Sequence, residues 1–274
     1  ENIPGGSDPK WFRGGGFFYE RNGPAIWLLR DPNDVPIFNN TPYTHVSGRG
    51  VGFIRPTNYF SYTIWRGENW DRDIRNNHRN IMRDWKVINP ESEWYGEWIR
   101  DHYDVFYEAF TDQDTLNKWY PLVTKCTTIG DHPESVLADP ATGEINGQMG
   151  KTMNDWYLIR VAETYLLRAE AKLGKGDKAG AAQDLNIVRN RANATPVNSG
   201  DVTIDYILDE RMRELNYEEP RRLTLGRLNK VYDRTVLGNQ FSGVTIEPYN
   251  NLFPIPFSEI ERNTAAVLEQ NPGY

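Results

Sequence analysis

Apolar positions in the second half of the chain recur with the period of a helix. Leu158, Ala162, Tyr165, Leu166, Ala169 and Leu173 share one face of a 3.6-residue repeat. After the break Gly174-Lys175-Gly176-Asp177, the positions Ala181, Leu185, Val188 and Ala192 do the same. Residues 156–192 are therefore predicted to be two amphipathic helices back to back. Small residues at Ala162, Ala169 and Ala182 let the two axes approach closely, as in tetratricopeptide-type hairpins. A third helix is predicted over roughly 202–217, with Ile204, Ile207, Leu208, Met212 and Leu215 on one face. Near the C-terminus, Ser258-Glu259-Ile260-Glu261 has the form of a capping box. Asn271-Pro272-Gly273-Tyr274 cannot continue a helix.

The first half lacks this regularity. GGG at 14–16, NGP at 22–24, NNTP at 39–42 and GRGVG at 48–52 predict long irregular loops. The apolar run at 25–29 predicts a short strand. Residues after Arg55-Pro56-Thr57 predict a helix to about Trp65, and Asp139-Pro140-Ala141-Thr142-Gly143 a tight turn. Two regions follow: a loop-rich part over 1–150 and a helical part over 151–274. The fold class expected is mainly α, helical hairpins packed against an irregular region with a few short strands.

Composition narrows the functional classes. A net charge of −7, with Arg interspersed among Asp and Glu, weighs against nucleic acid. No apolar run is long enough to cross a bilayer. The lone Cys126 excludes an internal disulfide and a Cys-based zinc cluster. Tryptophan is uneven: of 9 in the chain, all but Trp156 lie before residue 120.

Signatures of catalysis are absent from the pattern. GRGVG lacks the ending of a P-loop and the spacing of a dinucleotide fingerprint, so a turn is the better reading. His45, His78, His102 and His132 are scattered, without HExxH spacing. His102-Tyr103-Asp104 has no accompanying nucleophile motif. Glu93 with Glu97, and Asp101 with Asp104, read as surface charge rather than as a glycosidase pair. No catalytic residue, metal site or cofactor is expected.

What the first half offers instead is rigid aromatic rings among hydrogen-bonding side chains. Trp and Tyr lose little rotamer entropy on binding, and their negative ring faces suit the C–H face of a pyranose. Asn, Asp and Arg suit its hydroxyls. WRGENWDRD (65–73) and ESEWYGEW (91–98) have this mixed character. Candidate ligand-binding residues are Trp11, Tyr43, Trp70, Trp94 and Tyr95, with Asn69, Asp71 and Arg72 as polar neighbours.

The stretch DWYLIRVAETYLLRAEAKLGKGDKAGAAQDLNIVRNRA (155–192) resembles the characteristic segment of the SusD/RagB family. ILDERMRELNYEEPRRLTLGRL (207–228), LFPIPFSEIERNTAAVLEQNPGY (252–274), RPTNYF (55–60) and DIRN (73–76) resemble further segments, in the family's order. Pro220, Thr224 and Thr264 depart from its usual residues. The resemblance implies a SusD-like fold with tetratricopeptide-like hairpins, and a non-enzymatic outer-membrane lipoprotein of the Bacteroidetes cell surface. It implies binding of glycan, or in some members peptide, and delivery to a SusC-like TonB-dependent transporter barrel. Family members are longer. The signal peptide, lipidated Cys and first repeats are accordingly expected before Glu1, with membrane contact only through that anchor, a role Cys126 cannot fill. Two readings compete with glycan binding. One is an oligopeptide binder of the same family. The other is a tetratricopeptide-type protein–protein adaptor gripping a partner near Tyr165 and Arg168.

Overall fold

The computed structural model describes residues 23–38, 43–44, 48–52, 54–67, 69–105, 117–125, 134, 137–141, 144–145 and 157–274. The α-helices lying wholly within the described residues are α1 (Asn58–Ser61), α2 (Asn69–Arg72), α3 (Val161–Gly174), α4 (Lys178–Arg191), α5 (Ile204–Glu214), α6 (Arg221–Arg227), α7 (Val231–Gly238) and α8 (Phe257–Arg262). The strands among the described residues form three two-stranded antiparallel ladders: β1 (Tyr43–Thr44) with β2 (Gly48–Arg49), β3 (Ile81–Met82) with β4 (Leu122–Val123), and β5 (Leu137–Asp139) with β6 (Glu144–Ile145). The protein is mainly helical, as its periodicity predicts. Two compact units are present: the described parts of Glu1–Pro56 with Trp65–Tyr217, and Thr57–Ile64 with Glu218–Tyr274.

The first unit holds two apolar cores. In one, Ala162, Leu166 and Ala169 of α3 meet Ala181, Leu185 and Val188 of α4, with Ile207 and Leu215 closing the cluster. These are positions the 3.6-residue period singles out; Leu158, also placed on that face, precedes α3 and is 89% exposed. The turn between α3 and α4 needs its glycines. Gly176 takes a positive φ of 81°. Asp177 caps α4 by accepting from Gly180 N at 2.8 Å, and a Cβ on Gly180 would lie 2.1 Å from the Asp177 carboxylate. Across the hairpin, Asp184 accepts from Arg168 at 2.6 and 2.8 Å and pairs with Lys172 at 2.9 Å.

The second core gathers Ile26, Leu29, Ile37, Phe38, Trp85, Val87, Trp94, Ile99 and Leu122 from the loop-rich part. Here the expected strand at 25–29 is a 3₁₀ turn, Ile26–Leu28. Ile26 and Leu29 are both 1% exposed. Residues three apart reach one side in a helical turn but opposite faces in a strand, so burying both selects the turn. Three further expectations change. The helix after Pro56 is broken into α1 and a 3₁₀ turn, Thr63–Trp65, at Tyr62. Gly48–Arg49 of GRGVG is strand rather than turn. Pro256, not Ser258, occupies the N-cap of α8, so Ser258 lies inside the first turn and the capping box does not form. Pro140 and Ala141 make the expected turn between β5 and β6; Thr142, Gly143 and Cys126 lie outside the described residues.

In the second unit, α1 packs on α7, with the Arg234 guanidinium 5.5 Å from the Tyr59 ring. The C-terminal tail is tied down by hydrogen bonds. Gln270 Nε2 donates to Ile255 O at 2.9 Å while its Oε1 accepts from Ile255 N at 2.7 Å. Tyr274 Oη donates to Leu252 O at 2.9 Å. No described helix is long and apolar enough to cross a membrane.

Beneath the hairpin lies a buried charge network. Glu210 of α5, 0% exposed, pairs with Arg189 at 2.6 Å, Arg213 at 2.9 Å and Arg75 at 2.9 Å. One turn on, Glu214 pairs with Arg75 at 2.9 Å, Arg160 at 3.0 Å and Arg191 at 2.8 Å. Arg75 is further held by Asp73 at 2.7 Å. Burial alone pushes the Glu210 carboxyl upward, but Arg213, Arg75 and Arg189 outweigh it and hold the group at about 2. Glu214 is lowered likewise, by Arg75, Arg191 and Arg160 acting against its burial.

Breaking such a network leaves uncompensated buried charge. Glu214→Gln is expected to cost about 3–5 kcal/mol, read as an earlier midpoint in urea, whereas Glu261→Gln on exposed α8 leaves the midpoint in place. The pH dependence follows from the lowered carboxyl. Glu210's contribution is complete above its ordinary value of 4.5 and is lost as pH falls toward 2. Unfolding followed between these limits is expected to show steep acid destabilisation in the parent. A Glu210→Gln variant, already weakened at neutral pH, is expected to show a shallower slope, and an unchanged slope contradicts this assignment.

Candidate functional site

The segment 69–100 folds around the second core and opens a cavity of about 460 Å³ beside it. Its first wall is α2. Trp70, 37% exposed, and Asp71 face the cavity. Buried Asn76 fixes this wall: its Nδ2 donates to Trp70 O at 2.7 Å, and its Oδ1 accepts from Arg83 at 2.5 Å. The Arg83 guanidinium is thereby laid over the Trp70 ring, 4.7 Å from its centroid. Asn77 and buried Ile81 line the space between.

The opposite wall is a short antiparallel ribbon. Val87 N donates to Glu97 O at 2.9 Å and Ile99 N to Trp85 O at 3.0 Å, so Lys86 and Trp98 stand directly opposite each other. Trp98 lines the cavity with Arg100, and His78 meets the Trp98 ring edge-on at 5.9 Å. Lys86 Nζ lies 5.5 Å and Arg100 Cζ 5.3 Å from the same ring centroid. Asp84, between the walls, accepts from Trp85 N at 2.9 Å and pairs with Arg100 Nε at 3.2 Å. Burial raises the Asp84 carboxyl above its ordinary range, opposed by the backbone N–H groups of Trp85 and Arg100 and by the Arg100 guanidinium.

Of the residues singled out from the sequence, Trp70 and Asp71 come together at the cavity. Asn69 and Arg72, on the same short helix, serve as anchors: Asn69 Oδ1 accepts from Thr195 N at 2.8 Å, and Arg72 Nε donates to Asn193 O at 3.0 Å. Trp94 is a core residue, 6% exposed, its ring stacked on His102 at 4.1 Å, so its surface is spent on packing. Neighbouring Tyr95 is 59% exposed but does not line the cavity. The backbone of Tyr43 lies in β1, its side chain outside the described residues; Trp11 lies outside them entirely.

Sequence reasoning missed Asn76, His78, Arg83, Asp84, Trp98 and Arg100. Only Trp98 carried a signal, as the last residue of ESEWYGEW. At the hairpin, Arg168 is engaged by Asp184 and Tyr165 packs on the core, which removes much of the free surface an adaptor needs there. Among the described residues no group of three His, Cys, Asp or Glu is arranged to hold a metal ion.

Comparison with known proteins places the fold in context. The SusD family profile matches residues 31–274. Starch-binding protein SusD of Bacteroides thetaiotaomicron is 37% identical over 121 residues, covering 43% of this chain and 21% of that protein. Among solved structures, a SusD superfamily protein from Bacteroides vulgatus aligns over 80% of this chain and 44% of its own, at 19% identity and a TM-score of 0.47. A SusD-like protein from Bacteroides fragilis aligns over 45% of this chain and 26% of its own, at 28% identity and a TM-score of 0.36. The chain thus spans about a fifth of the length of the curated relative it matches. With a profile match running from Asp31 to the last residue, the chain belongs to the SusD family.

Proposed function

We propose that the cavity between Trp70 and the Lys86–Trp98 ribbon is a carbohydrate-binding site. In this reading the protein captures glycan at the outer-membrane surface without altering it chemically, and passes it to a SusC-like TonB-dependent transporter. The observation that carries the reading is the Trp70 ring, 37% exposed, at the edge of a cavity rich in hydrogen-bonding side chains. A pyranose can lay its C–H face on such a ring while Asp71 and Asn77 meet its hydroxyls. The Trp70 backbone is already held by Asn76 and its ring by Arg83, so little conformational entropy is lost on binding. The starch-binding name of the Bacteroides thetaiotaomicron relative points to the same ligand class.

The mechanism is binding and release. Trp70 supplies contact area, and the polar groups supply orientation. Neither step needs a nucleophile or a general base. A site open to solvent on one side leaves part of the sugar hydrated, which keeps affinity moderate and lets cargo be handed on.

Trp70→Ala is expected to weaken binding to a recognised glycan at least tenfold, about 1.4 kcal/mol, with little change in melting temperature. Calorimetric titration against a panel of plant, host and microbial polysaccharides measures this. Undiminished binding by the variant removes the cavity as the site. Absence of binding to every glycan in the panel, with capture of oligopeptides instead, replaces the ligand class.

A further inference from the structure

We infer that this cavity selects an acidic oligosaccharide, one bearing carboxylate or sulfate groups, whose anion is taken at the cavity's edge by Arg100 of the lining and by Lys86, which stands outside the lining opposite Trp98. The inference rests on the carbohydrate reading above and narrows it. A bare aromatic platform suits a neutral sugar. Trp98 is not bare: one ammonium and one guanidinium lie within 5.5 Å of its ring centroid. A neutral pyranose stacking there has to displace cations, whereas an anionic substituent bonds to them. Trp70 carries one cation, Arg83 at 4.7 Å and already bonded to Asn76, whereas Trp98 carries two exposed ones, so the anion is placed at Trp98.

Geometry leaves both cations available. Arg100 turns its Nε edge toward Asp84 at 3.2 Å and Asp101 at 3.9 Å. Its two Nη atoms make no hydrogen bond with a described residue, and the side chain is 65% exposed. A guanidinium held by one edge keeps the other free for two-point recognition of a carboxylate or sulfate. Lys86, also exposed, faces the Trp98 ring and makes no ion pair with a described residue. Cation–π contact orients a charge without neutralising it.

Nearby acids offset part of the Arg100 charge, Asp84 at 3.2 Å and Asp101 at 3.9 Å, and leave Lys86 unpaired among the described residues. Asp84 is already engaged by Arg100 and by two backbone N–H groups, from Trp85 and Arg100. Glu97, next to Trp98, is engaged by His102 at 2.6 Å. Asp71, on the opposite wall, is the acid that faces an incoming anion, and Arg83 stands beside it in the lining. The chain as a whole carries −7, so an acidic polymer gains nothing from general attraction and is held only where cations are concentrated.

The test is calorimetric titration of the full chain with four probes: hexagalacturonate, a heparin-derived hexasaccharide, maltohexaose and an oligoglutamate peptide. One or both acidic sugars are expected to bind, more weakly as salt is raised, and more tightly than maltohexaose. The uronate and heparin arms distinguish carboxylate from sulfate. Arg100→Gln is expected to weaken acidic-sugar binding about tenfold or more, with partial recovery in Arg100→Lys. Removing Arg100 also leaves Asp84 unpaired, so Lys86→Gln, a purely surface change, provides a second reading and is expected to lose several-fold. Tighter binding of maltohexaose, unaffected by either substitution, overturns acidic selectivity while leaving the carbohydrate site intact. Binding of oligoglutamate alone overturns both readings, whereas binding of none of the four overturns acidic selectivity and leaves the carbohydrate site to the wider polysaccharide panel.

Discussion

Two glutamates one helical turn apart, Glu210 and Glu214, hold the larger unit together. Between them they engage Arg75, Arg160, Arg189, Arg191 and Arg213, and both carboxylates are buried. Placing one such charge in a protein interior is costly, and here the cost is met only if all partners arrive together. Arg160 precedes α3, Arg189 and Arg191 end α4, and Arg75 comes from the irregular segment that carries the cavity. One network thereby ties the helical hairpin to the loops, which no apolar stripe on either could do alone.

That linkage gives the hairpin a role its own surface does not advertise. The loop after α4 receives α2 through Asn69 and Arg72, and Ala192 O accepts from Ile74 N at 3.0 Å. Asn76, between Arg75 and the cavity, then fixes Trp70 and Arg83. Buried charge, hydrogen-bonded loop and exposed ring form a continuous chain of contacts. The helices touch no part of the cavity, yet they determine where its first wall stands.

What the sequence made legible divides along the same line. The faces of α3, α4 and α5 follow from the spacing of Leu166, Ala169, Leu185 and Ile207, because burial of helical faces is periodic. Segments that resemble the family, among them RVAE, NIVRNRA, DERMREL and DIRN, turn out to supply the network's arginines and acids. Their pairing is not periodic, and residues such as Arg75 and Glu214, 139 apart in sequence, announce nothing about each other. The cavity was half legible. WRGENWDRD contains Trp70 and Asp71, whereas Trp94 and Trp98 lie in one stretch and only the ribbon register separates them. Trp98 stands opposite Lys86 and reaches the cavity; Trp94, in the turn before it, falls into the core. A register difference of this kind is set by tertiary packing, not by composition.

The same ribbon bears on how tightly the proposed site would hold a ligand. Residues directly opposed across an antiparallel pair share a face, so Lys86 and Trp98 are neighbours without any ligand present. Arg100 reaches the same ring from the following 3₁₀ turn, Ile99–His102. Long flexible side chains ordinarily lose rotamer freedom when they close on a ligand, and the ring removes part of that loss beforehand. Only one edge of the guanidinium and one ammonium are left to make new bonds, and both stand at the solvent boundary. Attraction there is screened by salt and water. Under the proposed function, a cavity organised in this way would gain selectivity from the placement of charge and keep its hold light, the balance that capture followed by release needs.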